Sequence, residues 1–141
     1  MRAGLLIPAL ILVLASCAGQ VSENRFIKAS DSDDGLYEFK VDIQDTISLY
    51  DFSFYTRVDG IYLRSKSGTV PLDIFWISPS SGKVLAERVY IGRGDMKGLC
   101  VEYRSGVRLS EQGEWSLCVR PVNPPKGFRG MGLIVEKNGT R

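Results

Sequence analysis

The residue with the clearest chemistry in this sequence is Cys17, which ends the run LASC at 14–17. One basic residue, Arg2, and an apolar stretch over 3–14 precede the run, which is the layout of an exported signal peptide. A cysteine at this position is the expected acceptor for diacylglycerol, and its freed amine for a further acyl chain. The sequence therefore predicts a lipoprotein signal peptide over 1–16 and a lipid anchor at Cys17. The alternatives are a plain secretory signal with a chance cysteine and a signal-anchor.

A lipid anchor would decide where the protein is located. Each buried methylene adds about 0.8 kcal/mol of membrane affinity, so two or three acyl chains hold a protein stably on a membrane. The residue after the cysteine is Ala18 and not an acid. In most Gram-negative bacteria this favours the outer membrane over retention at the inner one. We therefore expect an outer-membrane lipoprotein.

The side chains that usually carry catalysis are scarce. The sequence has no histidine, which removes the commonest general base and the commonest metal ligand. Acidic residues are plentiful, but none sits in a recognisable catalytic signature, and no glycine-rich phosphate-binding loop is present. Acids scattered on outward strand positions are typical of a solvated face. We expect no catalytic residue, no metal site and no cofactor, and hence a protein that is not an enzyme.

Two further cysteines, Cys100 and Cys118, predict a disulfide, because an exported domain lies in an oxidising compartment. Metal binding is the alternative, but two cysteines without a histidine make a poor zinc site. If the strands around them pair antiparallel, residues whose numbers sum to 218 face each other. The bridge would then join two neighbouring strands on the outer face of one sheet.

These residues must be positioned by β-strands, since short β-branched and aromatic runs alternate with turn residues and no helical period is sustained. The pattern predicts an all-β fold, an antiparallel β-sandwich of seven to eight strands, as a single domain over 36–141. Residues 17–35 show little apolar periodicity and are predicted to be a tether. The predicted strands are Tyr37–Ile43, Asp51–Val58, Ile61–Arg64, Leu72–Ile77, Val84–Ile91, Leu99–Arg104, Trp115–Val119 and Gly132–Lys137.

Two aromatic residues are candidates for ligand contacts. Tyr55 shares its strand face with Ser53 and Arg57, opposite the apolar residues of the same strand, so we expect it to be exposed. Trp76 lies in an aromatic-rich strand and could belong to a carbohydrate platform or a protein-binding patch. Core packing is the alternative for both residues. The nearly neutral charge of the mature chain gives no support for nucleic-acid binding.

Four stretches together carry a family resemblance: IQDTI at 43–47, LDIFWISPSSGKV at 72–84, VRLSEQGEW at 107–115 and GMGLIVEK at 130–137. In order and spacing they resemble the gliding-motility lipoprotein (GldH) family of Bacteroidetes. The resemblance implies an outer-membrane lipoprotein, facing the periplasm, that supports the gliding machinery and the linked type IX secretion system through protein contacts. It carries no active site. The chain is shorter than the usual pattern and adds a cysteine pair, which leaves a non-motility role open.

The resemblance has two further implications. It marks Thr46, between Asp45 and Ile47, as a candidate acceptor, because Bacteroidetes O-glycosylate exported proteins at Asp-Ser/Thr-apolar sites. An exposed turn with local hydrogen bonds is the alternative for this threonine. Surface display in the same phylum tends to need acids directly behind the lipidated cysteine, whereas the first acid here is Glu23. A periplasm-facing orientation is therefore expected.

Residues 77–141 carry 11 basic and 6 acidic residues, so the C-terminal half is basic. We expect, in sum, a membrane-tethered β-sandwich that contacts other envelope proteins through an unpaired sheet edge or through this basic C-terminal half. The alternative is a module that binds envelope glycan. Exposed coplanar aromatic rings beside polar residues in a groove would favour glycan. A flat apolar patch or a bare edge strand would favour a protein partner.

Overall fold

Eight β-strands account for most of the residues that the computed structural model describes, namely 20–59, 69–80, 82–92 and 100–138. The predicted all-β class, the sandwich and the single domain are confirmed. The predicted strand Ile61–Arg64 and the predicted anchor Cys17 lie outside the described residues. The strands are β1 (Gln20–Lys28), β2 (Tyr37–Ile43), β3 (Leu49–Val58), β4 (Thr69–Ser78), β5 (Gly82–Gly92), β6 (Val101–Val107), β7 (Gly113–Pro121) and β8 (Phe128–Asn138).

The strands form two four-stranded sheets with antiparallel neighbours. The first sheet has the order β1-β8-β3-β6 and the second the order β2-β7-β4-β5. Among the described strands, β4 and β5 are the only consecutive pair within one sheet, and every other connection passes from one sheet to the other. With the first and last strands adjacent, this is the strand order of a jelly roll. Strands that follow each other in sequence therefore mostly face each other across the core.

Alternating side chains fill the space between the sheets. In β2, four residues from Tyr37 to Ile43 are buried and the three between them are exposed, because successive side chains of a strand point to opposite faces. β4 buries Leu72, Ile74 and Trp76 in the same way. Phe52 of β3 meets Trp76 edge to face at a centroid distance of 5.0 Å. Aromatic contacts of this kind join the first sheet to the second.

The predicted tether over 17–35 is wrong in its described part, because β1 runs through it as an edge strand of the first sheet. β1 pairs with β8 along its whole length. Glu23 and Arg25 occupy the positions opposite the core residues Val135 and Leu133, but the two side chains are about half exposed at the open edge of the sandwich. An edge strand has one neighbouring strand, so its inward-facing positions can stay solvated and need not be apolar. For this reason its sequence does not resemble a half-buried strand.

The strand directions define two ends of the sandwich. The proximal end is where β1 begins, and Gln20, Asn138 and Leu49 lie in register there. The distal end is where β1 finishes, near Lys28 and Phe128. At about 3.3 Å of rise per residue, the nine residues of β1 separate the two ends by about 26 Å.

Candidate functional site

Tyr55 and Phe26 form an aromatic pair on the outer face of the first sheet. Their ring centroids are 5.7 Å apart and their planes differ by 23°. β8 runs between β1 and β3 and places Gly132 opposite both residues. A Cβ atom at Gly132 would overlap the Tyr55 ring, so that ring lies over the space that glycine leaves. The predicted outward orientation of Tyr55 is confirmed, and the ring is partly exposed.

Polar groups surround this aromatic pair. The Tyr55 hydroxyl donates a hydrogen bond to Asn24 Oδ1 at 2.6 Å. The guanidinium carbon of Arg57 lies over the Phe26 ring, 5.2 Å from its centroid, within the range of a cation–π contact. The two rings are nearly parallel and stacked, and do not lie side by side in one plane. Partly exposed aromatic surface beside an amide and a guanidinium is the feature here that favours a glycan ligand.

A groove of about 700 Å³ extends from Phe26 to the distal end of the sandwich. We call it the aromatic groove. Phe26 and Phe128 supply its aromatic surface, and its lining includes three basic residues and one acid. The three basic residues are Lys28, Arg57 and Arg129, and the acid is Asp59. The groove therefore carries a net positive charge.

Phe26 is not among the residues that the sequence predicts for a site, because β1 lies within the segment predicted to be a tether. The signal that could have found it lies on the neighbouring strand, where Gly130 and Gly132 interrupt an apolar run. Glycine inside a strand often marks the close approach of another group. Here a Cβ atom at Gly130 would come within 2.6 Å of the Phe26 ring.

The prediction of Trp76 as a binding aromatic is wrong, since its side chain is only 4% exposed. It lies on the inward face of β4 and meets Trp115 edge to face at 6.1 Å. Its indole Nε1 donates a hydrogen bond to the Tyr103 hydroxyl at 3.1 Å. Trp76 is therefore a core residue with a satisfied polar group.

Tyr103 continues this contact into an ionic cluster that joins the edge strands β5 and β6 of the two sheets. Its hydroxyl donates to Glu87, and Arg104 Nη2 donates to both Glu87 carboxylate oxygens at 2.7 and 2.6 Å. Burial raises the pKa of Glu87, but the hydrogen bonds from Arg104 and Tyr103 outweigh it and leave that pKa lowered. Burial, followed by the bond to Glu87, raises the pKa of Tyr103. At neutral pH the cluster is an ion pair supported by a phenol, which is a structural contact between the sheets.

β5 offers a different kind of surface. It is an 11-residue edge strand, and β4 is its strand partner within the described residues. Two large apolar side chains on it are exposed, Leu85 at 40% and Tyr90 at 62%. Long edge strands with unmatched backbone N–H and C=O groups can pair with a strand of another chain. We refer to this strand and its two exposed side chains as the β5 edge.

The outer face of the second sheet extends this surface. A shallow depression of about 480 Å³ lies beside β5, and its floor includes Phe75 and Ala86. Asp73 and Arg120 also line it, and Asp73 forms an ion pair of 2.6 Å with Arg88. An apolar floor with charged residues around it, next to a bare edge, is typical of a protein-binding surface.

The predicted disulfide between Cys100 and Cys118 is wrong, because the two thiols are not bonded to each other. Cys100 precedes β6 in the first sheet, whereas Cys118 lies on β7 in the second, between Glu38 and Phe75. The two strands do not pair, so the expected register, in which residue numbers sum to 218, does not exist. Cys118 does point away from the core, as predicted, but it is only 2% exposed because its cross-strand neighbours cover it.

Thr46 is exposed on the connection between β2 and β3, at the proximal end. The carboxylate of Asp45 organises this connection, accepting backbone N–H bonds from Ile47 at 3.1 Å and Ser48 at 2.6 Å. Lys137 Nζ lies 2.9 Å from the same carboxylate and, with the Ser48 bonds, holds the pKa of Asp45 well below its usual range. The connection is therefore fixed while the threonine stays accessible. Glycosylation of Thr46 remains a prediction.

The acidic residues are spread over the surface in separate contacts. Asp45, Asp73 and Glu87 each have their own basic partner. Asp51 instead accepts hydrogen bonds from Ser105 and the backbone of residue 106. Within the described residues, no three Cys, Asp or Glu side chains come together as a metal site. The described part of the chain also has no helix of the length and apolarity needed to cross a bilayer.

Comparison with known proteins gives little further information. No family model and no curated protein matches the chain. Among solved structures, it is similar to a protein from Sulfurospirillum deleyianum, with 12% identity and a TM-score of 0.44. That similarity covers 84% of this chain and 98% of the other.

Proposed function

We propose that the chain is an outer-membrane-anchored, non-enzymatic lipoprotein of the gliding-motility type, which supports motility or type IX secretion machinery through protein contacts. The observation that carries the proposal is the β5 edge. A long edge strand with exposed Leu85 and Tyr90, beside an apolar depression, suits the addition of a strand from a partner. The lipid anchor and the family are those that the sequence predicts.

The anchor, if Cys17 is acylated, constrains how the domain sits on the membrane. Two residues, Ala18 and Gly19, lie between Cys17 and Gln20, the first residue of β1, and the three residue steps from Cys17 to Gln20 span at most about 11 Å. The proximal end would therefore face the lipid, and the distal end would point away from it. The anchor is tested by Cys17→Ser, which should abolish acyl labelling and leave the precursor uncleaved. Labelling that persists in this variant would refute it.

The partner surface is tested by affinity capture of the lipidated protein from crosslinked membranes. A Leu85→Lys/Tyr90→Lys variant places two charges on the β5 edge, which should prevent strand addition. Ile47→Lys is the matched control, because Ile47 is an exposed apolar residue, 63% accessible, away from β5. We expect motility or secretion components with the wild type and the control, and their loss with the edge variant. Partners retained by the edge variant, or recovery of polysaccharide alone, would overturn the proposal.

The orientation of the anchored protein is tested by protease shaving of intact cells. A periplasm-facing protein should survive the treatment and be degraded only after the outer membrane is permeabilised. Rapid loss from intact cells would mean surface exposure.

Glycosylation at Thr46 is tested by intact mass. Thr46→Ala should remove a glycan-specific mass shift, while Thr69→Ala, which removes another exposed threonine, should keep it. An unchanged mass in Thr46→Ala would reject the site.

The second candidate function is an envelope glycan-binding module. The observation that favours it is the stacked, partly exposed Phe26–Tyr55 pair beside Arg57 and Asn24. Aromatic faces of this kind can stack on the apolar face of a sugar ring. Tyr55→Ala should weaken binding to envelope polysaccharide in affinity electrophoresis, whereas Tyr90→Ala, which removes an exposed tyrosine elsewhere, should not. Equal mobility of the two variants would argue against this function.

A further inference from the structure

The charges in the aromatic groove are unevenly compensated. Arg129 forms an ion pair with Asp59, whose Oδ2 accepts hydrogen bonds from Arg129 Nε at 3.1 Å and Nη2 at 2.8 Å. Lys28 and Arg57 line the same groove, and neither forms an ion pair with another described residue. Two positive charges are thus left to face a ligand. The acidic residues that follow β1, Asp31, Asp33 and Asp34, do not line the groove.

The position of Arg57 suits a planar anion. Its guanidinium lies over the Phe26 ring, and a guanidinium stacked on an aromatic face can still present N–H groups at its edges. Such a fork matches the two oxygens of a carboxylate. Phe26 and Phe128 line the groove beside it and supply apolar surface for a sugar ring.

We propose that the aromatic groove binds an acidic oligosaccharide, whose sugar ring packs on the groove's aromatic lining, Phe26 and Phe128, while its carboxylate is held by Arg57 and Lys28. This inference rests on the second candidate function and names its ligand class. A lipid headgroup fits less well, because the groove lies at the distal end, about 26 Å from the start of β1. An acidic peptide supplies the charge but has no pyranose ring to pack on Phe26 and Phe128.

The test measures binding of the full-length lipidated protein, in detergent micelles, to a short oligogalacturonate and to its methyl ester. The two probes have the same sugar skeleton and differ in charge. We expect the ester to bind roughly tenfold more weakly or worse, the loss expected from one charged hydrogen bond. Arg57→Gln should remove the preference, and Lys28→Gln should reduce it. Lys126→Gln should keep it, since Lys126 is an exposed lysine outside the groove lining.

Each result has a separate meaning. Equal binding of acid and ester would overturn the acidic preference and leave glycan binding intact. Absence of binding to either probe would overturn both this inference and the second candidate function. Binding of polyglutamate or of anionic vesicles as tightly as the sugar, and through Arg57, would show that the groove recognises charge alone and would overturn the sugar assignment. The thermal unfolding midpoint of each variant controls for folding.

Discussion

Substituting Gly132 tests whether the aromatic pair depends on a glycine beneath it. In Gly132→Ala the new methyl group would occupy the space of the Tyr55 ring, so the ring must swing away from the sheet. That movement separates Tyr55 from Phe26 and breaks the hydrogen bond from the Tyr55 hydroxyl to Asn24. The strand itself tolerates alanine, because the backbone of Gly132 does not have a positive φ angle.

The expected cost follows from these lost contacts. An aromatic pair contributes about 0.5–1.5 kcal/mol beyond its buried area, and a hydrogen bond about 0.5–1.5 kcal/mol. Replacing glycine by alanine returns about 0.4–1 kcal/mol by restricting the unfolded chain. The variant should therefore lose about 1–2 kcal/mol of stability, which lowers the unfolding midpoint by roughly 3–8 °C for a domain of this size.

A double-mutant cycle with Tyr55→Ala separates this mechanism from a general effect of alanine on β8. Once the ring is absent, Gly132→Ala has nothing to displace and should be neutral or slightly stabilising. The coupling free energy between the two substitutions, measured by urea unfolding, should then be about 1.5–2.5 kcal/mol, within the range seen for contacting residues. Equal costs of Gly132→Ala in both backgrounds would refute the packing argument.

Three further predictions concern charges and thiols. Glu87→Gln should lower stability at pH 7 by about 1.5–3 kcal/mol, because Arg104 and Tyr103 lose a charged acceptor. Since the pKa of Glu87 is lowered in the folded state, its contribution is present above the unfolded pKa of about 4.3 and is lost as pH falls through the folded value. The stability gap between wild type and variant should thus close below about pH 4, and a gap constant from pH 7 to pH 2 would contradict the ion pair. In native protein a thiol reagent should label exposed Cys100 quickly and buried Cys118 only after unfolding; failure to label either in denaturant without reductant would mean a disulfide. Asp45→Asn should speed amide hydrogen exchange at Ile47 and Ser48, because the Asp45 carboxylate accepts hydrogen bonds from both N–H groups. Asp42→Asn is the control and should leave those rates unchanged.

Alternation made the core strands predictable. In β2 and β4 one face is fully buried and the other is not, so apolar and polar residues alternate with period two. β1 could not be found in this way, because Glu23 and Arg25 stand at an open edge where solvent replaces a core neighbour. What identifies β1 as a strand is the pairing with β8, which is a long-range contact that the local sequence does not encode.

The cysteine prediction failed at the level of topology. The strand directions and the outward orientation of Cys118 followed from the sequence, but the choice of neighbouring strand did not. In a jelly roll the connection from β6 to β7 crosses between the sheets, so two strands joined by a short loop are not hydrogen-bonded neighbours. The predicted register, in which facing residues have numbers that sum to 218, assumes that the two strands are hydrogen-bonded neighbours in a hairpin. The position of Trp76, by contrast, follows from the local sequence. Alternation along β4 places Trp76 on the same face as Leu72 and Ile74, and that pattern indicates the core.

The same crossing pattern keeps the two candidate surfaces independent. The aromatic groove is built from β1, β3 and β8 on the outer face of the first sheet, whereas β5 is an edge of the second sheet. The groove lining includes no residue of β5, and the exposed Leu85 and Tyr90 lie outside it. Substitutions at sites that share no partner usually have additive effects. A protein partner on β5 therefore need not displace a glycan from the groove, so loss of one activity in a surface variant gives no information on the other.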